Sequence, residues 1–270
     1  MKKVLTVAGS DCSGGAGVQA DLKTFAAHGV YGMSVIVSVV AENTCRVIDI
    51  QDITPDMIKK QMYAVFEDIT PDAVKVGMLS GRECMEAVAE KLDNYKPENV
   101  VIDPVMIAKG GHALMKEDAL EFFIKRLIPL AGMLTPNIPE AEAITGMEIT
   151  TSEDIKKAAV SIYRMGAGSV LIKGGHLKGD AEDILYDGKE FYIYSTKRIQ
   201  TKNTHGTGCT FSSAIASNLA LGLPFPTAVE KAKEYVTMAI EHSLEIGKGH
   251  GPTHHLYGVY KNGLNNWRSI

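Results

Sequence analysis

Residues 73–105, AVKVGMLSGRECMEAVAEKLDNYKPENVVIDPV, decide the fold class of this chain. Their two ends, AVKVGML and NVVIDPV, are short apolar runs rich in β-branched residues, as is typical of buried strands. Between them, Glu83 to Tyr95 is predicted to form a helix. Strands that alternate with helices of this length predict a mostly parallel sheet with helices on both faces.

The same alternation continues on both sides of this stretch. Before it, the pattern predicts strands at 3–8 and 34–41, and helices at 16–28 and 54–68. After it, the pattern predicts helices at 116–127, 151–165, 210–221 and 227–245, strands in GMLTPN and SVLIKGG, and a hairpin at 183–199. We expect the run SVIVSVVA, residues 34–41, to be one strand that is covered on both faces.

We find no linker, repeat or low-complexity stretch, and therefore expect one domain over residues 1–270. Residues 251–270 are rich in Gly, His and Asn and are expected to form a surface tail. In an open parallel sheet, ligands bind beyond the carboxyl ends of the strands. The residues that follow each strand are therefore the candidates for function.

The bulk properties of the chain favour a small-molecule partner. It has 270 residues, a net charge of −4 and no cluster of Lys or Arg for a nucleic-acid backbone. Its cysteines form no CxxC pair, so we expect reduced thiols rather than disulfides or a zinc site. The N-terminal apolar run stops at Gly9, and no segment approaches the ~18 apolar residues of a membrane span. We expect a cytoplasmic protein that binds neither nucleic acid nor membrane.

The strongest local signal is the Gly-rich turn NTHGTGCT, residues 203–210, which runs directly into a helix. Its glycines let backbone N–H groups turn toward one point, and the helix N-terminus adds positive potential, so the turn predicts an anion site. Cys209 falls in the first helical turn, where the helix dipole is expected to lower the pKa of its thiol. A thiolate there could take a proton from a substrate hydroxyl; a mere tight connection is the alternative.

Acidic and amide residues follow two other predicted strands. Asp103 follows NVVI, and Asn137 and Glu140 follow the strand in GMLTPN. Mg²⁺ takes one or two carboxylates with phosphate oxygens and keeps several waters, so these residues suit a Mg-nucleotide. The alternatives are a turn at Asp103 and a helix start at Asn137.

Two further loops are candidates for ligand binding. Lys173 lies beside Gly174 and Gly175 after a strand, where its ammonium could contact phosphate. A solvated Lys at a strand end is the alternative. The loop GSDCSGGAG, residues 9–17, matches neither the P-loop order GxxxxGK[ST] nor GxGxxG. Its glycines could instead let it wrap closely around a flat ligand.

Taken together, these motifs resemble the ribokinase-like superfamily, and within it the hydroxymethylpyrimidine and hydroxymethylpyrimidine-phosphate kinases of thiamine biosynthesis. The resemblance runs from VLTVAGSDCSGGAGVQADLKTF through GML, VVIDPVM, LTPNIPEAE and LIKGGH to KNTHGTGCTFSSAIA and GHGPTHH. It implies a three-layer α/β/α sandwich, usually a homodimer, with ATP and substrate in neighbouring grooves. The implied reaction transfers the γ-phosphate of ATP, with Mg²⁺, to the hydroxymethyl group of an aminopyrimidine.

The resemblance also implies roles for individual residues. Cys209 matches the catalytic base of such enzymes, and the anion hole for the transferring phosphoryl group matches Gly206, Thr207 and Gly208. The Mg-nucleotide is expected to contact Lys173, Asp103, Asn137, Glu140 and Thr204, partly through water. Lys173 would contact phosphate, and Asp103, Asn137 and Glu140 would position Mg²⁺.

The pyrimidine is expected among six residues, namely Asp11, Ala16, Asp21, Glu42, Met78 and Val105. Position 42 departs from the family pattern, because similar pyrimidine kinases commonly have Gln there. An ionised Glu offers only acceptors, so pairing with the aminopyrimidine requires a proton on the ring nitrogen or on the carboxyl. We expect partial burial to raise the Glu42 pKa and to let the carboxyl share this proton.

Three alternative functions fit parts of the sequence. A pyridoxal or pyridoxine kinase would need the same ATP site, and its ring also carries a hydroxymethyl group. A non-catalytic regulator on this fold would explain a pocket, but not the joint presence of the catalytic and metal-site residues. A cysteine hydrolase would use Cys209 as nucleophile and His205 as base, although the Gly-rich turn need not bring their side chains together.

Overall fold

The computed structural model describes residues 1–106, 117–175 and 180–263. Its strands are β1 Lys3–Ala8, β2 Tyr31–Ile36, β3 Ser38–Glu42, β4 Val47–Asp52, β5 Ala73–Val76, β6 Val100–Ile102, β7 Met133–Leu134, β8 Val170–Lys173, β9 Ala181–Tyr186 and β10 Phe191–Thr196. Its helices are α1 Gly17–Ala27, α2 Pro55–Asp68, α3 Arg82–Tyr95, α4 Glu117–Phe122, α5 Ile138–Thr145, α6 Ser152–Arg164, α7 Thr207–Ala220, α8 Phe225–Glu241 and α9 Tyr257–Asn262. A π-helical turn, Phe123–Leu127, continues α4, whose expected first residue at 116 lies outside the described residues.

The central sheet has eight strands in the order β10-β9-β8-β7-β6-β5-β1-β2. The strands from β8 to β2 in this order are parallel to their neighbours. The last two, β9 and β10, add an antiparallel hairpin at one edge. This topology confirms the mostly parallel α/β class and the hairpin that were expected from the sequence.

Helices cover both faces of the sheet because successive strand residues point to opposite sides. In β1, Leu5 and Val7 pack in one core with α2, α3, α5 and α6. Val4 packs in the other core with α1, α7 and α8. The three layers of the expected α/β/α sandwich are therefore confirmed.

The run SVIVSVVA does not form one strand, which corrects the expectation for residues 34–41. β2 ends at Ile36, where the Gln61 side chain replaces a neighbouring strand and bonds both Ile36 N and Ile36 O at 3.0 Å. After Val37 the chain leaves the main sheet, and β3 pairs with β4 in a separate antiparallel sheet. Val39 is therefore 49% exposed, although the apolar run predicts burial on both faces.

The segment after residue 250 enters the protein interior, which corrects part of the expected surface tail. Gly251, Thr253 and His255 are buried. Gly251 N donates to Asn203 Oδ1 at 3.0 Å, and His205 N donates to Gly251 O at 3.1 Å. The short helix α9 follows, and residues 264–270 lie outside the described residues.

Within residues 1–106, 117–175 and 180–263, no helix combines the length and the apolar character that crossing a membrane requires.

Candidate active site

A cavity of about 860 Å³ lies beyond the carboxyl ends of the parallel strands. It brings together most of the site residues that the sequence predicts: Ala16, Glu42, Met78, Asp103, Val105, Asn137, Glu140, Lys173, Thr204, Gly206, Thr207, Gly208 and Cys209. This volume lies within the range of about 300–1,000 Å³ that is typical of small-molecule sites.

The predicted anion turn leads into α7 at Thr207, three residues before the expected start at Thr210. Gly206 has a φ of 77°, a left-handed conformation that favours glycine, and it accepts a bond from Thr210 N at 2.8 Å. A methyl group at Gly206 would also overlap the carbonyl oxygen of Gly15. Because the first N–H groups of a helix lack partners within the helix, Gly208 and Cys209 present donors at the cavity.

Lys173 and Asp103 form an ion pair beside this turn. Lys173 Nζ lies 2.6 Å from Asp103 Oδ1, and Asp103 is almost fully buried. Burial alone would lower the Lys173 pKa, but the charges of Asp103 and Glu140 outweigh it and raise the pKa. A Cβ placed on Gly208 would lie 3.4 Å from Asp103 Oδ2 and 3.6 Å from Lys173 Nζ. The turn and the charged pair therefore face the same point.

Asn137 and Glu140 form a capping box at the start of α5. Glu140 N donates to Asn137 Oδ1 at 2.9 Å, and Asn137 N donates to Glu140 Oε2 at 2.8 Å. Burial raises the Glu140 pKa to about 7, although Lys173 opposes this shift. The motif therefore serves as a helix start, and these two oxygen atoms already accept backbone hydrogen bonds.

The donor set at Asp103, Asn137 and Glu140 fits Mg²⁺ held mainly through water. Two of its oxygens are occupied by the α5 cap, and Asp103 Oδ2 has a weak contact, 3.5 Å from Ser212 Oγ. Among the described residues, the one group of three His, Cys, Asp or Glu side chains within 4.8 Å is Asp11, Glu42 and His205. Since Mg²⁺ commonly takes one or two carboxylates plus phosphate oxygens, no all-protein cage is needed here.

Cys209 occupies the predicted place at the start of α7, but its thiol is not acidic. Burial raises its pKa to about 11, with further increases from Asp21 and Asp103. Lys75 and a hydrogen bond from Gly17 N–H act in the opposite direction. The expectation that the helix dipole lowers this pKa is therefore wrong, because the desolvation of the half-buried side chain dominates.

Asp21 lies behind the cavity wall rather than in it. The Asp21 and Lys75 side chains both have 0% exposure, and Lys75 Nζ lies 2.9 Å from each Asp21 carboxylate oxygen. The prediction that Asp21 contacts the pyrimidine is thus corrected. Lys75 was missed as a site residue, although a lone Lys inside the apolar run AVKV is an unusual signal.

Asp11 organises the first loop instead of facing the ligand directly. Its Oδ1 accepts from Ser13 N, and its Oδ2 accepts from Gly15 N, Ala16 N and His205 Nε2. Burial alone would raise the Asp11 pKa, but these hydrogen bonds lower it below its ordinary value. His205 joins the first loop to the anion turn. Within the described residues its Nε2 bonds to Asp11 and no hydrogen bond joins it to Cys209, so the nucleophile–base contact of a cysteine hydrolase is not formed.

Glu42, the last residue of β3, also lines the cavity. Its carboxyl lies within 4.8 Å of the Asp11 and His205 ligand atoms. Partial burial and the Asp11 charge raise its pKa to about 7, while His205 opposes the shift. Cys12 Sγ fixes the local backbone, at 3.0 Å from Glu42 O and 3.3 Å from Glu42 N. The expected rise in the Glu42 pKa is confirmed.

The turn between β3 and β4 is fastened to the segment after α8. Gly249 N donates to Thr44 Oγ1 at 3.1 Å, and His250 N donates to Thr44 O at 2.9 Å. A methyl group on Gly247 or Gly249 would collide with Thr44. The small sheet is therefore held over the cavity at its tip.

Comparisons with known proteins show which family this chain belongs to. A family model described as phosphomethylpyrimidine kinase matches residues 11–254. The thiamine biosynthesis bifunctional protein ThiED of Geobacter sulfurreducens is 51% identical over 94% of this chain, which spans 52% of that protein. The hydroxymethylpyrimidine/phosphomethylpyrimidine kinase of Haemophilus influenzae is 47% identical, over 94% of this chain and 97% of that protein.

Solved structures of two kinds of vitamin kinase share the fold. A phosphomethylpyrimidine kinase from Clostridium difficile 630 has 50% identity and a TM-score of 0.81, covering 89% of this chain and 100% of that chain. Bacillus subtilis pyridoxal kinase, in an ADP complex, has 39% identity and a TM-score of 0.89, covering 96% of this chain and 99% of that chain. The chain therefore belongs to the phosphomethylpyrimidine kinase family, whose members are ATP-dependent phosphotransferases.

Proposed function

We propose that this protein phosphorylates 4-amino-5-hydroxymethyl-2-methylpyrimidine with ATP and then phosphorylates the monophosphate, in thiamine biosynthesis. The observation that carries the proposal is one cavity lined by two chemically different groups of residues. One group is the anion turn with the Asp103–Lys173 pair, and the other includes the half-buried carboxyl of Glu42. A phosphate donor fits the first group, and an aminopyrimidine alcohol fits the second.

Phosphoryl transfer depends mainly on positioning and on stabilising charge. The N–H groups at the start of α7 and the Lys173 ammonium surround the place where charge develops on the transferring group. Cys209 lies at the same place and would receive the proton of the attacking hydroxyl. Because its pKa is about 11, the thiol is protonated at neutral pH and only a small fraction can accept that proton.

We infer that Mg²⁺ is held near Asp103, Asn137 and Glu140, with water between the ion and the capped oxygens. When bound, the ion would neutralise phosphate charge. Lys173 holds Asp103 in place by their 2.6 Å contact, and α5 holds Asn137 and Glu140. A homodimer stays a prediction that follows from the resemblance, and a cytoplasmic location stays a prediction that follows from the cysteine pattern and the short apolar runs.

Glu42 is proposed to recognise the aminopyrimidine. With a pKa of about 7, its carboxyl holds a proton for much of the time near neutrality. The protonated carboxyl can donate to a ring nitrogen while its other oxygen accepts from the exocyclic amine. Met78 and Val105 supply apolar surface on the same cavity. A Glu can in this way replace the amide that is common at this position.

Pyridoxal kinase activity is the second candidate, favoured by the TM-score of 0.89 to Bacillus subtilis pyridoxal kinase. The deciding experiment measures ADP release with Mg-ATP and hydroxymethylpyrimidine, its monophosphate or pyridoxal as separate substrates. Activity on both pyrimidines supports the proposal. Activity on pyridoxal alone contradicts it and leaves Glu42 without its amine partner.

A further inference from the structure

The ion pair of Lys75 and Asp21 lies beneath the cavity floor and has no role in the mechanism above. Lys75 is in β5 and Asp21 is in α1, and neither side chain has any solvent exposure. Burial alone would lower the Lys75 pKa, but the charge of Asp21 outweighs it and raises the pKa. Lys75 is therefore a permanent cation in a dry part of the protein. Such a charge has a strong field because little solvent screens it.

The local packing holds the Lys75 ammonium against the cavity. Lys75 is one of the residues that line it, and a Cβ on Gly77 would lie 2.6 Å from Lys75 Nζ. Only a glycine at position 77 leaves this space to the ammonium. The side chain of Lys75 consequently ends at the level of the strand ends, where the reacting groups are.

Asp21 connects the pair to the helix that carries Cys209. Its carboxylate accepts from Thr6 Oγ1 at 2.6 Å and from Ser213 Oγ at 2.7 Å, in addition to Lys75. Ser213 lies four residues after Cys209 in α7, so the two side chains share one helix face. The bond to Ser213 therefore ties the charged pair to the helix that carries Cys209.

Four charged groups face Cys209 from the surrounding elements: Lys75 of β5, Asp21 of α1, Asp103 after β6 and Lys173 of β8. Asp103 disfavours the thiolate, and its Oδ1 lies 2.6 Å from Lys173 Nζ. Lys75 favours the thiolate of Cys209, and Asp21 disfavours it. The thiol pKa of Cys209 therefore depends on the balance between these two opposite effects.

We propose that Lys75 and Asp21 act as a positioning pair that sets the proton affinity of the Cys209 thiol. Lys75 favours proton acceptance by a thiol that burial keeps protonated, and Asp21 opposes this effect of Lys75. The consequence for catalysis rests on the proposed function, whereas the charge effect on the thiol does not.

The test measures the pH dependence of the rate at which iodoacetamide alkylates the thiol in the full chain, because the thiolate is the reacting form. The background carries Cys12→Ser, Cys45→Ser and Cys84→Ala, which leaves Cys209 as the remaining cysteine. Three variants are compared in this background: Asp21→Asn, Lys75→Gln and the double variant that removes both charges. Asp21→Asn keeps the shape of the side chain, so it remains informative if Lys75→Gln fails to fold.

Asp21→Asn is expected to lower the thiol pKa, and Lys75→Gln is expected to raise it, each by about one unit or more. In the double variant, the thiol pKa should be close to that of the background protein that keeps both charges. Asp72→Asn is the control, since Asp72 also lies 2.9 Å from a lysine, Lys2, but is outside the cavity lining and should leave the thiol titration unchanged. Unchanged titration in Asp21→Asn, or the same direction of shift in both single variants, would overturn the proposal.

The pH profile of turnover then separates this inference from the proposed function. If Cys209 is the base, Asp21→Asn should move the rising limb of the rate toward lower pH. Opposite pKa shifts in a protein that phosphorylates neither pyrimidine would support the charge effect and refute the proposed function. Pyrimidine kinase activity together with an unchanged thiol pKa in both single variants would support the proposed function and refute the charge effect.

Discussion

Lys173 Nζ lies 2.6 Å from Asp103 Oδ1, although 70 residues separate the two in the sequence. They meet because Lys173 ends β8 and Asp103 follows β6, and one strand, β7, lies between them. Parallel strands bring their carboxyl ends to one edge of the sheet. The contact thus depends on the sheet order and supplies both a cation and a carboxylate for a Mg-nucleotide.

Replacing Lys173 by Met should lower kcat by ~10²- to 10³-fold, because a preorganised charge at the transferring phosphoryl group is lost. Steady-state ADP release with saturating pyrimidine measures this effect. Lys2→Met is the control, since Lys2 pairs with Asp72 at 2.9 Å on the surface. Equal turnover in the two variants would contradict the proposed contact between Lys173 and the transferring phosphoryl group.

Replacing Cys209 by Ala should lower kcat by ~10²- to 10⁴-fold, because a positioned proton acceptor is removed. In the wild type, the rate should rise with pH from neutrality toward the thiol pKa of about 11, since the accepting thiolate becomes more populated. The variant should lose this rise, as measured in single turnovers over the same pH range. Cys84→Ala, in α3 and away from the cavity lining, should keep it. An unchanged profile in Cys209→Ala would assign the proton to another acceptor.

Replacing Glu42 by Gln should make aminopyrimidine affinity independent of pH around neutrality. In the wild type, the carboxyl can donate below its pKa of about 7 and only accept above it, so affinity should fall as pH rises through this value. The amide donates and accepts at every pH. Calorimetric titration on both sides of pH 7 measures the difference, with the exposed Glu148→Gln as control. A large loss of affinity at every pH would contradict this role.

Replacing Gly206 by Ala should destabilise the protein more than replacing Gly222 by Ala. Both glycines have positive φ, 77° and 90°, so both alanines are strained by ~1–3 kcal/mol. A methyl group at Gly206 also overlaps Gly15 O, whereas nothing lies within 4 Å at Gly222. Thermal unfolding compares stability, and ATP binding compares function, which only Gly206→Ala should impair. Equal effects of both variants would mean that the anion turn tolerates a side chain.

Local sequence patterns predicted much of the framework, because they depend on short-range chemistry. Thr54 accepts from Met57 N and starts α2 before Pro55, as the motif indicates. The sequence also predicted that the residues after the strands lie at one edge of the sheet, because the carboxyl ends of parallel strands meet there. The cavity accordingly contains Asp103, Lys173 and Cys209.

The errors concern long-range effects that no local pattern contains. The break after Ile36 depends on the Gln61 side chain from α2, which a run of β-branched residues does not reveal. The pKa of Cys209 depends on how deeply the thiol is buried and on Asp21 and Asp103 from other elements. The Lys75–Asp21 contact spans 54 residues, so sequence alone placed Asp21 at the ligand.

The insertion of residues 251–255 beside the anion turn has a consequence for the newly made protein. His205 N bonds to Gly251 O and Thr253 N bonds to His205 O, so this short segment holds the loop that reaches Asp11. A ribosome delivers every strand of the sheet, Lys173 and Cys209 before this segment leaves the exit tunnel. The substrate end can therefore be completed only once residues 251–255, which are made after every strand of the sheet, have taken their place beside the anion turn.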